Sequence, residues 1–216
     1  MKQSSESVSA QAERPHASAE QALAAADDTM AALVERFGPC TLGQRQREPF
    51  PTLCSAIIGQ QISARAAATI EARLVEALGG ALAPERIQAA SDAVLRAAGL
   101  SAAKARYLRA LTEASEQITL SQLAPLEDRE VMATLTRIHG VGPWTAEMFL
   151  IFVLHRPDVF SMGDIGLRNA VNRLYADGEK LDAKATRQIT DRWSPWRSIG
   201  SWYLWRLTDG EVGTWQ

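Results

Sequence analysis

The chain has 216 residues, 46% of them hydrophobic and 22% charged, with a formal net charge of −2 and a pI near 6.0. That is enough apolar material for a full core in one domain or in two intimately packed lobes, which excludes a disordered or fibrous chain. The charge balance excludes strong long-range steering to a polyanion, so any anionic partner must be held by local groups.

Residues 1–17 are polar and rich in Ser, Gln and Glu, and read as a disordered tail. Helical patterning starts with Ser18 as cap and runs to Phe37, where Gly38-Pro39 stops it. Residues 40–49 read as a loop. A second helix covers 50–59. The polar turn Gly59-Gln60-Gln61-Ile62-Ser63 interrupts the apolar run, and Ser63 caps a third helix to Leu78, ahead of Gly79-Gly80. Short helices follow at 84–90 and 92–98. Ser101 then caps a helix over 101–117, with Ala105, Leu108 and Leu111 on one face and Lys104 and Arg106 in solvent. A helix over 127–138 ends in Ile138-His139-Gly140-Val141-Gly142, and Pro143 opens an apolar helix to Leu154. An extended stretch, 157–163, leads to a single Asp164 and a helix over 165–175. Helices over 183–193 and 195–207 complete the set, the last with Ser194 as cap and Pro195 at its first position. No stretch alternates as a half-buried strand does. The chain reads as all-α, with about ten helices.

Two cysteines in dissimilar contexts, Cys40 and Cys54, supply neither a zinc set nor the four thiolates of an iron–sulfur cluster. The three histidines are scattered. No run reaches the ~18 apolar residues of a membrane span, and no signal-peptide core opens the chain. The expectation is no membrane partner and a cytoplasmic location, in a bacterial cytosol or nucleoid.

The Ile138–Pro143 turn has a chemistry of its own. Gly140 and Gly142 around Val141 suit a tight turn that needs positive φ and close backbone approach. Pro143 fits the first helical position, where a missing N–H costs nothing. The amides of Gly142, Trp144 and Thr145 then mark a helix start, which holds phosphate through its N–H groups and positive dipole end. Taken alone, the same glycines suit an ordinary turn between helices, and Asp164 suits a plain N-cap. The stretch 193–205 holds four of the six tryptophans. Trp193, Trp196 and Trp202 read as core, whereas Trp205 suits an aromatic wall for a planar ligand.

Read together, IIGQQIS, AGLSAAKARYL, LTRIHGVGPWTAEMFLIF, VFSMGDIGLRNAV and WSPWRSIGSWYLW resemble the helix–hairpin–helix DNA glycosylases, in the branch of 3-methyladenine DNA glycosylase II. The likeness covers roughly residues 50–205. It implies the helix–hairpin–helix glycosylase fold over 18–216, in two packed lobes with the active site between them. One lobe is 18–50 plus 165–216, the other 51–164. The implied activity is excision of alkylated purines of the 3-methyladenine and 7-methylguanine type from double-stranded DNA, by a monomer. A non-catalytic DNA-binding module and a glycosylase for deaminated or oxidised bases are the alternatives.

The resemblance assigns Asp164 as the catalytic carboxylate and Trp144, Met148 and Trp205 to the base pocket. Gln61 falls where a wedge enters the base stack. Gly140, Gly142, Trp144 and Thr145 fall on the DNA-binding hairpin. The carbonyls of Thr136, Ile138 and Val141 fall where the family holds a monovalent cation, and no other cofactor is implied. Bifunctional relatives carry a lysine where Trp144 stands here, so Schiff-base chemistry at the sugar is not expected. Met148 replaces an aromatic of some relatives, and Gln61 is a weaker apolar plug than leucine.

Overall fold

The computed structural model describes residues 15–209. Among them the fold is all-α, with twelve α-helices and two short 3-10 turns. The helices are α1 (Ala17–Ala26), α2 (Asp28–Phe37), α3 (Pro49–Gly59), α4 (Ala64–Ala77), α5 (Pro84–Ala89), α6 (Asp92–Ala97), α7 (Ala102–Ser115), α8 (Asp128–Leu135), α9 (Pro143–Phe152), α10 (Ile165–Tyr175), α11 (Ala183–Thr190) and α12 (Arg197–Asp209). The 3-10 turns are Leu120–Leu123 and Asp191–Trp193. Most of the expected tail, residues 1–14, lies outside the described residues.

The chain divides into two compact units. One runs to Leu42 and resumes at Pro157; the other is Gly43–Arg156. The division expected at 50/51 and 164/165 thus falls at 42/43 and 156/157.

The Gly43–Arg156 unit is built on α3 and α9, which pack on each other. Both are apolar on nearly every face. In α3 every residue from Thr52 to Ile58 is buried, and in α9 so are Thr145, Ala146 and the run from Met148 to Phe152. A helix apolar all round belongs in a core, and α4, α7 and α8 cover these two. Ser63 caps α4 through the Ala66 N–H at 3.3 Å, and Ser101 caps α7 through the Lys104 N–H at 3.2 Å.

In the other unit α10 packs on α12, and α1 on α2. The single helix expected over 18–37 is two. Asp27 is extended, at φ −158° and ψ 113°, and its carboxylate accepts from the Thr29 and Met30 N–H groups. A side chain that caps a helix in mid-run ends the helix before it. The first helix starts at Ala17 after His16, not at a Ser18 cap. Asp27 also accepts from the Tyr175 hydroxyl at 3.0 Å and the Trp193 indole N–H at 3.4 Å, and pairs with Arg192 at 3.1 Å. A buried carboxylate needs partners for its oxygens, and these donors supply them.

The last helix also departs from expectation. It begins at Arg197, so Pro195 is not its first residue. Ser194 donates its hydroxyl to Asp158 at 2.8 Å instead of capping. Arg197 grips the same carboxylate with two parallel N–H bonds of 2.7 and 3.0 Å. Burial alone would raise the Asp158 carboxyl, but bonds from Arg197 and Ser194 outweigh it and hold the group below the usual carboxylate range. A depressed folded pKa stabilises the fold above the unfolded value, near ~3.9, and that contribution disappears as pH falls through the folded value. Acid unfolding followed by circular dichroism below about pH 5 should therefore be less steep in Arg197→Met than in the parent. Identical acid limbs would remove Asp158 from that account.

Candidate active site

The helix–hairpin–helix element spans α8 and α9. After Thr136 the backbone tightens, with the Ile138 N–H on the Leu135 carbonyl and the Val141 N–H on the Ile138 carbonyl, both at 3.0 Å. Ile138 and Val141 are buried and anchor the turn from below. The two glycines differ in role. Gly140 has φ +90°, and the Tyr107 ring occupies the space a Cβ there would need. Gly142 is not in the left-handed region. It is the extended N-cap of α9, at φ −88° and ψ 177°, and a Cβ there would meet nothing within 4 Å. Positive φ is thus required only at Gly140, and Gly142 leaves the approach to the helix start uncovered. Pro143 is at the first turn, and the N-cap, Gly142, carries no side chain of its own to cover this start, an arrangement suited to an anion.

Trp144 is half-buried, and its ring edge, Cη2, comes within 3.8 Å of the Cβ position of Gly59 at the end of α3. Thr145 is buried, and its hydroxyl oxygen accepts from the Gln60 amide at 3.0 Å. Met148 is 0% exposed, inside the α9 core. Gln61 is exposed with φ 60°, and its neighbour Ile62 is 39% exposed. All of these residues, with Thr136, lie in the Gly43–Arg156 unit.

Asp164 and Trp205 belong to the other unit. Asp164 is the N-cap of α10 and accepts from the Leu167 N–H at 2.8 Å. It is 9% exposed. A carboxylate so placed is fixed in orientation by the cap bond. Gly166 sits beside it: a Cβ there would lie 3.2 Å from the Asp164 Oδ1. Ile165, next in sequence, is 64% exposed. Trp205 lies on α12, which packs on α10, and is 7% exposed. Trp193 and Trp202 are buried as expected of core, and Trp196 is half-buried.

Two residues of this region are not singled out by the sequence. The Gln60 amide donates to the Gly140 carbonyl at 2.9 Å as well as to Thr145. Lys104 is not solvated: its ammonium donates to the Ile58 and Gln60 carbonyls at 2.6 and 2.8 Å, and burial pulls its pKa down. The pair of glutamines in this turn is a visible signal, but the sequence singles out Gln61 rather than Gln60. Nothing in the sequence marks a lysine on an amphipathic helix as a cap for another helix.

Among the described residues, no group of three or more His, Cys, Asp or Glu could hold a metal, and no helix is long and apolar enough to cross a membrane.

Residues 54–195 match the HhH-GPD superfamily of base excision DNA repair proteins. DNA-3-methyladenine glycosylase 1 of Schizosaccharomyces pombe is 31% identical over 185 residues, 82% of this chain and 79% of that protein. The solved structure of 3-methyladenine DNA glycosylase Mag1 of the same yeast, in complex with abasic DNA, aligns with a TM-score of 0.83 at 29% identity. It covers 90% of this chain and 98% of that one. A DNA-3-methyladenine glycosidase of Bacillus halodurans aligns with a TM-score of 0.70 at 36% identity, over 89% of each chain.

Proposed function

The chain belongs to the HhH-GPD superfamily of base excision DNA repair proteins, and from that premise we propose a monofunctional DNA glycosylase that hydrolyses the N-glycosidic bond of alkylated purines. The observation that carries this reading is Asp164, a buried carboxylate fixed by the start of α10, in a chain similar to 3-methyladenine glycosylases.

Purines alkylated at a ring nitrogen are often cationic and leave the sugar readily, so no strong general acid is needed. The protein must flip the nucleotide, at a cost of a few kcal/mol of unstacking, and stabilise positive charge on the sugar. The Asp164 carboxylate supplies the compensating charge and orients the attacking water. The π faces of Trp144 and Trp205 favour a cationic ring over a neutral one. Met148, one helical turn on from Trp144 in α9, belongs with them to the base pocket. The amides at the start of α9 hold a phosphate, and Gln61 enters the stack of double-stranded DNA. The protein acts as a monomer, in the cytoplasm.

The carbonyls of Thr136, Ile138 and Val141 are neutral oxygens that suit an alkali cation. The Ile138 carbonyl already accepts the Val141 N–H but keeps a second lone pair. Such an ion would supply positive charge beside the phosphate.

Absence of lyase activity rests on amines. Trp144 stands where bifunctional relatives carry lysine, and Lys104, the one lysine of residues 43–156, is engaged with two carbonyls. Incubation with methylated DNA should release alkylated purines, with strand breaks only after alkali or heat. Borohydride should trap no protein–DNA adduct. A robust adduct would identify another amine as nucleophile and end the monofunctional reading; release of no base from methylated DNA would end the substrate assignment.

A further inference from the structure

The end of α3 carries an unusual set of ties. A helix leaves its last carbonyls without partners inside the helix. Here Ile58 and Gln60 both offer theirs to the Lys104 ammonium, at 2.6 and 2.8 Å. That lysine is itself fixed, because its backbone N–H is the one Ser101 caps. The Gln60 side chain turns the other way and bonds the Gly140 carbonyl and the Thr145 hydroxyl. Gly140 is the left-handed residue of the hairpin, and Thr145 lies in the first turn of α9. One residue thus joins the turn after α3 to the hairpin through its side chain and to α7 through its carbonyl.

The next residue, Gln61, is held at φ 60°. For a side chain other than glycine such a backbone is strained, and it persists only where the surroundings over-determine it. Gln61 is exposed and Ile62 is 39% exposed. A strained, solvent-facing tip set on a rigid polar base is an arrangement for presenting side chains outward.

We propose that Lys104 and Gln60 are positioning residues that hold Gln61 and Ile62 in fixed register with the hairpin, so that a phosphate seated at the hairpin and a side chain entering the base stack act as one unit. This rests on the glycosylase reading. The hairpin meets phosphate in any duplex, whereas the tip acts only where a base has left the stack. Loosening the base of the tip should therefore reduce preference for a lesion more than affinity for DNA in general.

The test measures dissociation constants of the full chain for two duplexes, one undamaged and one carrying a tetrahydrofuran abasic-site analogue. Lys104→Met keeps the stem and removes the donors; Gln60→Met removes the two side-chain bonds and leaves Lys104 in place. Each should reduce the preference for the analogue by about tenfold, as should Gln61→Ala, and Lys104→Met combined with Gln61→Ala should lose no more than either alone. A purely structural lysine would instead give multiplied losses, about a hundredfold in the double variant. Multiplied losses, or an intact preference in both Lys104→Met and Gln60→Met, overturn the proposal. If the parent releases methylated purines while these variants keep its preference, only the positioning role fails. A parent that neither releases bases nor prefers the analogue overturns the glycosylase reading as well.

Discussion

Asp164→Asn should fold, bind DNA and excise alkylated purines at least ~10²-fold more slowly than the parent, the scale of losing one preorganised electrostatic group at a reacting centre. Asparagine keeps the size of aspartate and caps a helix about as well, so the bond from the Leu167 N–H survives. On the proposed mechanism, what disappears is the charge that offsets a sugar becoming cationic as the base departs. The loss should be smaller for the most labile cationic bases, which need least help to leave. The measurement is single-turnover release from methylated DNA, beside a melting curve and an affinity for abasic-analogue duplex. A variant that melts and binds normally and excises at the parental rate would reduce Asp164 to a helix cap. A large fall in melting temperature would show instead that the charge, not the cap, holds the start of α10.

The elements of the site were legible where local chemistry decides local structure. Ser63, Ser101 and Asp164 each cap the helix that follows them, because a short polar side chain ahead of an apolar periodic run has few other uses. Pro143 opens α9 for a similar reason. Legibility ended where a distant partner decides. Asp27 breaks the first long helical run because Tyr175, Trp193 and Arg192 gather on it, and none of them is near in sequence. Ser194 and Pro195 present a helix-start signature, yet Asp158 takes the serine hydroxyl and the helix begins at Arg197. Lys104 sits on a helix face that reads as solvated, and its partners are carbonyls 44 and 46 residues away. The tryptophans divide by depth, not by spacing: Trp144 and Trp196 are half-buried, whereas Trp193, Trp202 and Trp205 are buried.

Legibility also differed between the two hairpin glycines, which the sequence presents as equivalent and the backbone does not. Gly140→Ala should destabilise the fold, and Gly142→Ala should not. At Gly140 the φ of +90° disfavours any L-residue, by roughly 1–2 kcal/mol. The added methyl would also enter the Tyr107 ring, which packs edge-on against His139 at 5.0 Å, and forced repacking of this kind costs a further ~1–3 kcal/mol. The sum is about 2–5 kcal/mol, which in a domain of this size lowers Tm by roughly 4–20 °C. The Gly140 carbonyl would move with the ring and strain the bond from Gln60. Gly142 is extended and its surroundings are empty, so alanine there should shift Tm by no more than about 2 °C, as neutral surface substitutions do. Its methyl would nonetheless stand in front of the α9 amides. Gly142→Ala should therefore bind undamaged duplex more weakly than the parent while melting with it. Differential scanning calorimetry and duplex titration on the two variants separate the roles. If Gly142→Ala binds as tightly as the parent, the start of α9 does not hold the phosphate, and the hairpin serves the fold alone.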